Sequence, residues 1–177
     1  LKEARTSGAL YKIGFATLII MTLGVGMLIH KFSILTEMGV PRADAAAMVS
    51  LSGGMVIVGK FATGWMMDKW DPGLVGGLAT IITAAALSLL LLPVWTPILV
   101  VFAMAMLGFA GGSKLQISSY LTSVYAGPRN FGTIFGFMSS IAALSAGLGP
   151  LLGSLAYDLS GSYAPFLYVG IPCSALA

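Results

Sequence analysis

From Pro72 to Ser113 the chain runs for 42 residues without an Asp, Glu, Lys or Arg. A bilayer core about 30 Å thick needs roughly 20 apolar residues at 1.5 Å each. One straight helix over this run would reach about 60 Å, twice that thickness. The run must therefore fold back on itself. "PVWTP" (Pro93 to Pro97) supplies the break, because two prolines disfavour a continuous helix and Trp95 suits a membrane interface. Shorter uncharged runs cover Ile13–His30, Ala45–Gly59, Asn130–Tyr157 and Leu159 to the end. Only 8% of the 177 residues are charged and 58% are hydrophobic, against about a quarter charged in a soluble domain. So few polar groups cannot cover a soluble surface. The expected fold is all-α and polytopic, with spans near 11–30, 44–67, 73–92, 97–125, 130–157 and from 162 onward. Five later spans distinguish the first from a signal peptide.

The net charge of +3 is distributed by side rather than gathered into a nucleic-acid patch. Lys2, Arg5 and Lys12 precede the first span, Lys60 and Lys69 fall near the second turn, and Arg129 lies between the fourth and fifth spans. The alternate turns hold only Lys31 and Arg42. Six cations against two place the N-terminus, the 59–70 segment and the 126–130 turn in the cytoplasm, and make a cell membrane the expected location. Cys173 lies within a span and reads as a small hydrophobe. No linker divides residues 1–177, which form one membrane domain. The chain begins at Leu1 and its sixth span stops short, so it is expected to be a fragment.

A faint internal echo runs along it. "GVPR" precedes span two and "GPR" precedes span five. Nine residues separate Gly59 from Asp68, and nine separate Gly149 from Asp158. An offset of three spans inverts the second copy, giving a 3+3 inverted repeat. In span five, Gly132, Gly136, Ser139, Ala143, Ala146, Pro150, Gly153 and Tyr157 recur at steps of four and three. This stripe is expected to be a helix-packing seam, the alternative being the ordinary abundance of glycine in membrane helices. "GLGPLLG" (Gly147–Gly153) has no strand before it, so a dinucleotide loop fails its context test. Hydrolytic and nucleotide-binding motifs are missing from the sequence, which is read as a non-enzyme with neither cofactor nor metal site.

Charges crowd together only in "GKFATGWMMDKW" (Gly59–Trp70). Its pattern of Gly59, Lys60, Gly64, Asp68 and Lys69 resembles the signature between the second and third helices of each six-helix half in the major facilitator superfamily. "RNFGTIFGFMSSIAALSAGLGPLLGSLAYDLSGSY" (Arg129–Tyr163) is similar to the eleventh helix and following loop of that superfamily's monocarboxylate and oxalate/formate branch, with its basic residue, F-G pair, G-P and D-x-x-G-S-Y ending. The resemblance implies helices seven to a truncated twelve of a twelve-helix transporter, the missing N-terminal six-helix half being the partner. It also implies a conformational latch, in which Asp68 meets a helix N-terminus or nearby cations and Lys60 and Lys69 hold it. Plain topological anchoring by the two lysines is the other reading. The sequence departs from the family where Trp70, Asp71 and Pro72 replace a glycine and further basic residues.

Lys114 lies deep in span four, where an ionised group costs a few kcal/mol unless it faces a cavity or partner. At 100° per residue it shares an arc with Gly111, Ser118, Thr122 and Tyr125. Substrate binding, snorkelling to the interface and pairing with a carboxylate of the other half remain open for it. Related transporters often carry acidic residues here. Lys114, Ser118, Gln116 and Thr122 form the candidate substrate site, with Ser113 and Thr22 as further lining residues. His30 is expected at an interface, a proton relay being its alternative. By resemblance, the function is alternating-access transport of a small organic anion, a mono- or dicarboxylate, with a proton as a candidate coupling ion. A non-transporting structural or receptor-like six-helix protein and a channel are the alternatives.

Overall fold

A computed structural model describes the backbone of residues 8–92 and 96–176, and the side chains of 11–92, 96–124 and 131–175. Among these residues every regular element is a helix: α1 (Gly8–Glu37), α2 (Arg42–Lys69), α3 (Pro72–Leu90), α4 (Pro97–Ser160) and α5 (Ala164–Leu176). Five stretches are long and apolar enough to cross a membrane: Tyr11–Glu37, Arg42–Lys69, Pro72–Leu90, Pro97–Val124 and Phe131–Ser160.

The 64 residues of α4 would extend about 96 Å if straight, yet both of its spans lie beside α1. Ser118 Oγ is 3.0 Å from Thr17 Oγ1, and a Cβ built on Gly14 would lie 3.6 Å from the Met138 side chain. Thr17 and Gly14 are neighbours one turn apart on α1. Ser118 and Met138 would be about 30 Å apart on a straight helix. The chain therefore reverses between Ser118 and Met138, an interval that includes the turn expected from the sequence. The predicted Tyr125 and Arg129 side chains lie outside the described residues, as do Pro93–Trp95.

The helix ends follow from their residues. Asp71 Oδ1 accepts from Leu74 N–H at 3.1 Å, with Pro72 at the first helical position of α3. Thr96 and Pro97 do the same for α4. An N-cap acceptor followed by proline starts a helix at little cost, since proline lacks only an N–H that would go unpaired. Asp71 and Pro72, the departure from the family signature, thus start α3. Gly39 closes α1 at φ 85°: its N–H bonds Thr36 O at 3.1 Å, and that of Val40 bonds Leu35 O at 3.0 Å. This is a Schellman ending, whose left-handed residue favours glycine.

The first span runs beyond its expected end at residue 30, through Glu37. Lys31 therefore belongs inside a helix rather than in a turn. Similarly, Gly59–Lys69 is the last part of α2, and only Trp70 and Asp71 separate it from α3.

Two apolar clusters lie toward opposite ends of the bundle. One gathers Leu35, Met48, Leu87, Met104 and Phe166, among others. The other joins Met67, Val75, Ala79 and Ile117. Phe15, Phe61 and Ile98 point outward, with Phe61 78% exposed, as suits a surface bathed in hydrocarbon.

Glycines set the closest approaches. A Cβ on Gly108 would strike Ser52 O, one on Gly112 would strike Val56 O, and one on Gly59 would strike Phe109 O. Span four and α2 thus touch backbone to backbone along a G-x-x-x-G stripe. Gly149 meets α1 in the same way at Thr22 O and Gly26 N. Gly59 and Gly149, paired by the echo, thus make matching crossings: span two on span four, and span five on span one.

The expected seam on span five needs correction. Gly132, Gly136 and Ala143 are exposed, and a Cβ on Gly132 or Gly136 would meet nothing within 4 Å. The face that packs within the bundle carries Met138, Ser145, Gly149 and Gly153, all buried. Only the distal end of the predicted stripe takes part. There Pro150 O accepts from His30 Nε2 at 3.0 Å, and the His30 ring occupies the space a Cβ on Gly153 would need. His30 is accordingly buried between helices.

Candidate substrate site in the membrane interior

Lys114 lies 17 residues past Pro97 and about 15 Å short of Val124 along the helix. Its side chain crosses toward α1, where Nζ would lie 3.0 Å from a Cβ built on Gly24. A glycine at position 24 leaves room for the ammonium. Two cavities meet at this lysine. The first, about 240 Å³, is bounded by Thr17, Ile20, Gly76, Ile117, Ser118 and Lys114, among others. The second, about 230 Å³, is bounded by Gly24, Lys31, Val56, Thr83, Gly111 and Lys114, among others. Among the described residues no Asp or Glu lines either one.

The other predicted lining residues separate. Ser118 does share the first cavity with Lys114, but its hydroxyl pairs with Thr17. Thr122 is fully buried and donates back to Ser118 O at 2.7 Å. Gln116 faces away, into a recess with Gly64, Asp68, Ser119 and Tyr120; its Oε1 is buried without a hydrogen-bond partner among the described residues. Two positions along a helix is a rotation of about 200°, so Gln116 and Lys114 cannot share a face. Ser113 bonds Thr63 at 2.6 Å, tying span four to α2. Thr22 borders a different, largely apolar cavity beside Phe166.

Lys31 was missed by sequence reasoning. It is 7% exposed and donates to the fully buried Ser52 Oγ at 3.0 Å. The signal was present: Phe32, Ile34 and Leu35 continue the apolar helix past it. Its charge alone suggested a turn.

The signature segment divides by side chain. Gly59 makes the close crossing on Phe109. Gly64 stands opposite the Gln116 amide, at 4.0 Å from a built Cβ. Lys60 and Asp68 are exposed and lie about 12 Å apart along α2, too far for the lysine to hold the carboxylate. Lys69 extends over the Trp65 ring, 4.5 Å from its centre. The N-terminus of α3 is capped by Asp71, which leaves Asp68 open to solvent and to the Gln116 recess.

A helical bundle with five stretches long and apolar enough to cross a membrane, among the described residues, is the architecture of a polytopic membrane protein. Residues 6–177 match the Major Facilitator Superfamily, and the chain belongs to that family of membrane transporters. No curated protein matches it.

Proposed function

We propose that the chain is the C-terminal six-helix half of a secondary transporter for a small organic anion, working by alternating access with Lys114 as the anion's anchor. The observation that carries this reading is the Lys114 ammonium, at bilayer depth and at the junction of two cavities that no carboxylate lines among the described residues. A buried cation without a counter-charge is costly, and an anionic cargo offsets its desolvation while bound. Ser118 borders the same space and is the second contact. The test is uptake into proteoliposomes holding the full-length protein, using labelled carboxylates beside neutral and cationic compounds of equal size. Carboxylates should be the cargo; uptake confined to neutral or cationic compounds overturns the proposal.

The orientation places Trp70 in the cytoplasm and the turn between α1 and α2 outside a cell membrane. Lys31 is removed from the outer tally by its burial, which sharpens the positive-inside asymmetry. In a Cys173→Ala background, Ala43→Cys should react with an impermeant thiol reagent in intact cells, whereas Trp70→Cys should react only after permeabilisation. Labelling of Trp70→Cys from outside overturns the orientation.

Asp68 serves as the latch through the recess it shares with Gln116 and Ser119, held by a group from the other half rather than by Lys60 or Lys69. Asp68→Asn should leave expression and insertion intact and slow transport about tenfold, the cost of a hydrogen bond to a charged group. Unchanged transport with unchanged inward and outward populations reduces the segment to a topology signal.

A further inference from the structure

We propose that Lys31 is a second anchor in the Lys114 cavity, and that the two lysines together select a short dicarboxylate over a monocarboxylate; this rests on the organic-anion reading above. Both side chains line one cavity of about 230 Å³, to which no Asp or Glu contributes among the described residues. Gly24, against which the Lys114 ammonium rests, and Lys31 are seven residues apart on α1. Seven residues make two turns, so both positions face the same way, about 10 Å apart along the axis. Side chains on a helix lean toward its N-terminus, which tilts Lys31 back toward Gly24. Ser52 takes one of the three N–H donors of Lys31 and fixes the ammonium at the cavity wall.

The charge balance sets the ligand class. Two ammonium groups in one apolar cavity repel each other, and one carboxylate leaves half of that charge unmatched. A dianion with carboxylates at its two ends neutralises both. The apolar part of the cavity lining, which includes Val56, Leu87, Leu107 and Gly111, suits a short methylene chain. Thr83 adds a hydroxyl beside it, but that hydroxyl already donates to Ala79 O at 2.9 Å.

The experiment measures equilibrium binding of succinate, butyrate and succinamide to the purified full-length transporter. These probes share a four-carbon chain and carry two, one and no carboxylates. The unaltered protein should bind succinate about 30-fold more tightly than butyrate, the lower end of the cost of unpairing a buried charge, and succinamide least. Lys31→Gln should bring succinate down to the butyrate level while butyrate binding holds, which also shows that the variant is folded. Lys31→Arg should restore much of the preference. Equal binding of succinate and butyrate by the unaltered protein overturns the second anchor and leaves the organic-anion reading standing. Equal losses of both ligands in Lys31→Gln also overturn it, since a structural lysine would act on each alike. If none of the carboxylates binds, both readings fall together.

Discussion

Replacing Lys114 by glutamine in the full-length transporter should weaken anion binding by about 2–5 kcal/mol, the cost of truncating one member of a buried charge pair. That corresponds to a loss of roughly thirtyfold to a few thousandfold. Glutamine keeps approximate length and polarity, so the cavity keeps its shape and loses only its charge. Lys114→Arg keeps the charge but replaces a compact ammonium with a planar fork. The guanidinium is also broader than the ammonium that now rests beside Gly24, with Nζ 3.0 Å from where a Cβ there would lie. Transport by the arginine variant should therefore be reduced, not abolished. Uptake of a labelled carboxylate panel measures both. A snorkelling lysine would leave both variants near normal, because an interfacial amine has water available. A lysine paired with a carboxylate elsewhere in the transporter would regain activity when that carboxylate is neutralised too. Near-normal uptake by Lys114→Gln overturns the anchor.

The second large effect lies in the scaffold. Gly112→Leu should destabilise the bundle by more than about 3 kcal/mol, at or beyond the upper end of ordinary overpacking. A Cβ at this position strikes Val56 O and stands 3.0 Å from Lys60 N. Both are backbone atoms of α2 and cannot swing aside as a side-chain tip would. Relief requires α2 to retreat, which also opens the Gly108 and Gly59 crossings and strains the Thr63–Ser113 bond. Gly77→Leu is the control, because a Cβ at Gly77 meets nothing within 4 Å. Thermal unfolding in detergent, followed by loss of monodisperse protein, should separate the two variants clearly. A Gly112→Leu protein as stable as the Gly77→Leu control refutes the close crossing.

The spans were legible because hydrocarbon imposes a blunt requirement: about 20 residues without charge, interrupted where a chain must turn. Proline and capping residues at Asp71–Pro72 and Thr96–Pro97 add local detail that composition cannot blur. Lys31 escaped because charge, the most reliable mark of a turn, fails when a lysine is buried inside a helix. The stripe through Gly132, Gly136 and Ala143 failed for a different reason. Smallness says that a face can be approached closely, not which neighbour approaches it, and span five turns Ser145 and Gly149 toward α1 instead. Gln116 was grouped with Lys114 by polarity alone, and Thr122 by its place on the same helical arc. Helical rotation places Gln116 on another face, and Thr122 spends its hydroxyl on its own backbone. Lys114 and Ser118 line one cavity because residues four apart share a helix face.

The crossings at Gly108, Gly112 and Gly149 also invert the usual map of mutational tolerance. In a water-soluble protein the large apolar side chains are the fragile positions and the small surface residues absorb change. Here bulky outward residues such as Phe61, Ile98 and Phe15 can be exchanged for almost any greasy residue wherever lipid covers them, since lipid adapts to the shape it meets. The hydrogen atom on each of those glycines can be exchanged for nothing. Scored across a saturation library, sequence variation would thus trace the lipid boundary, silent over the largest residues and severe over the smallest.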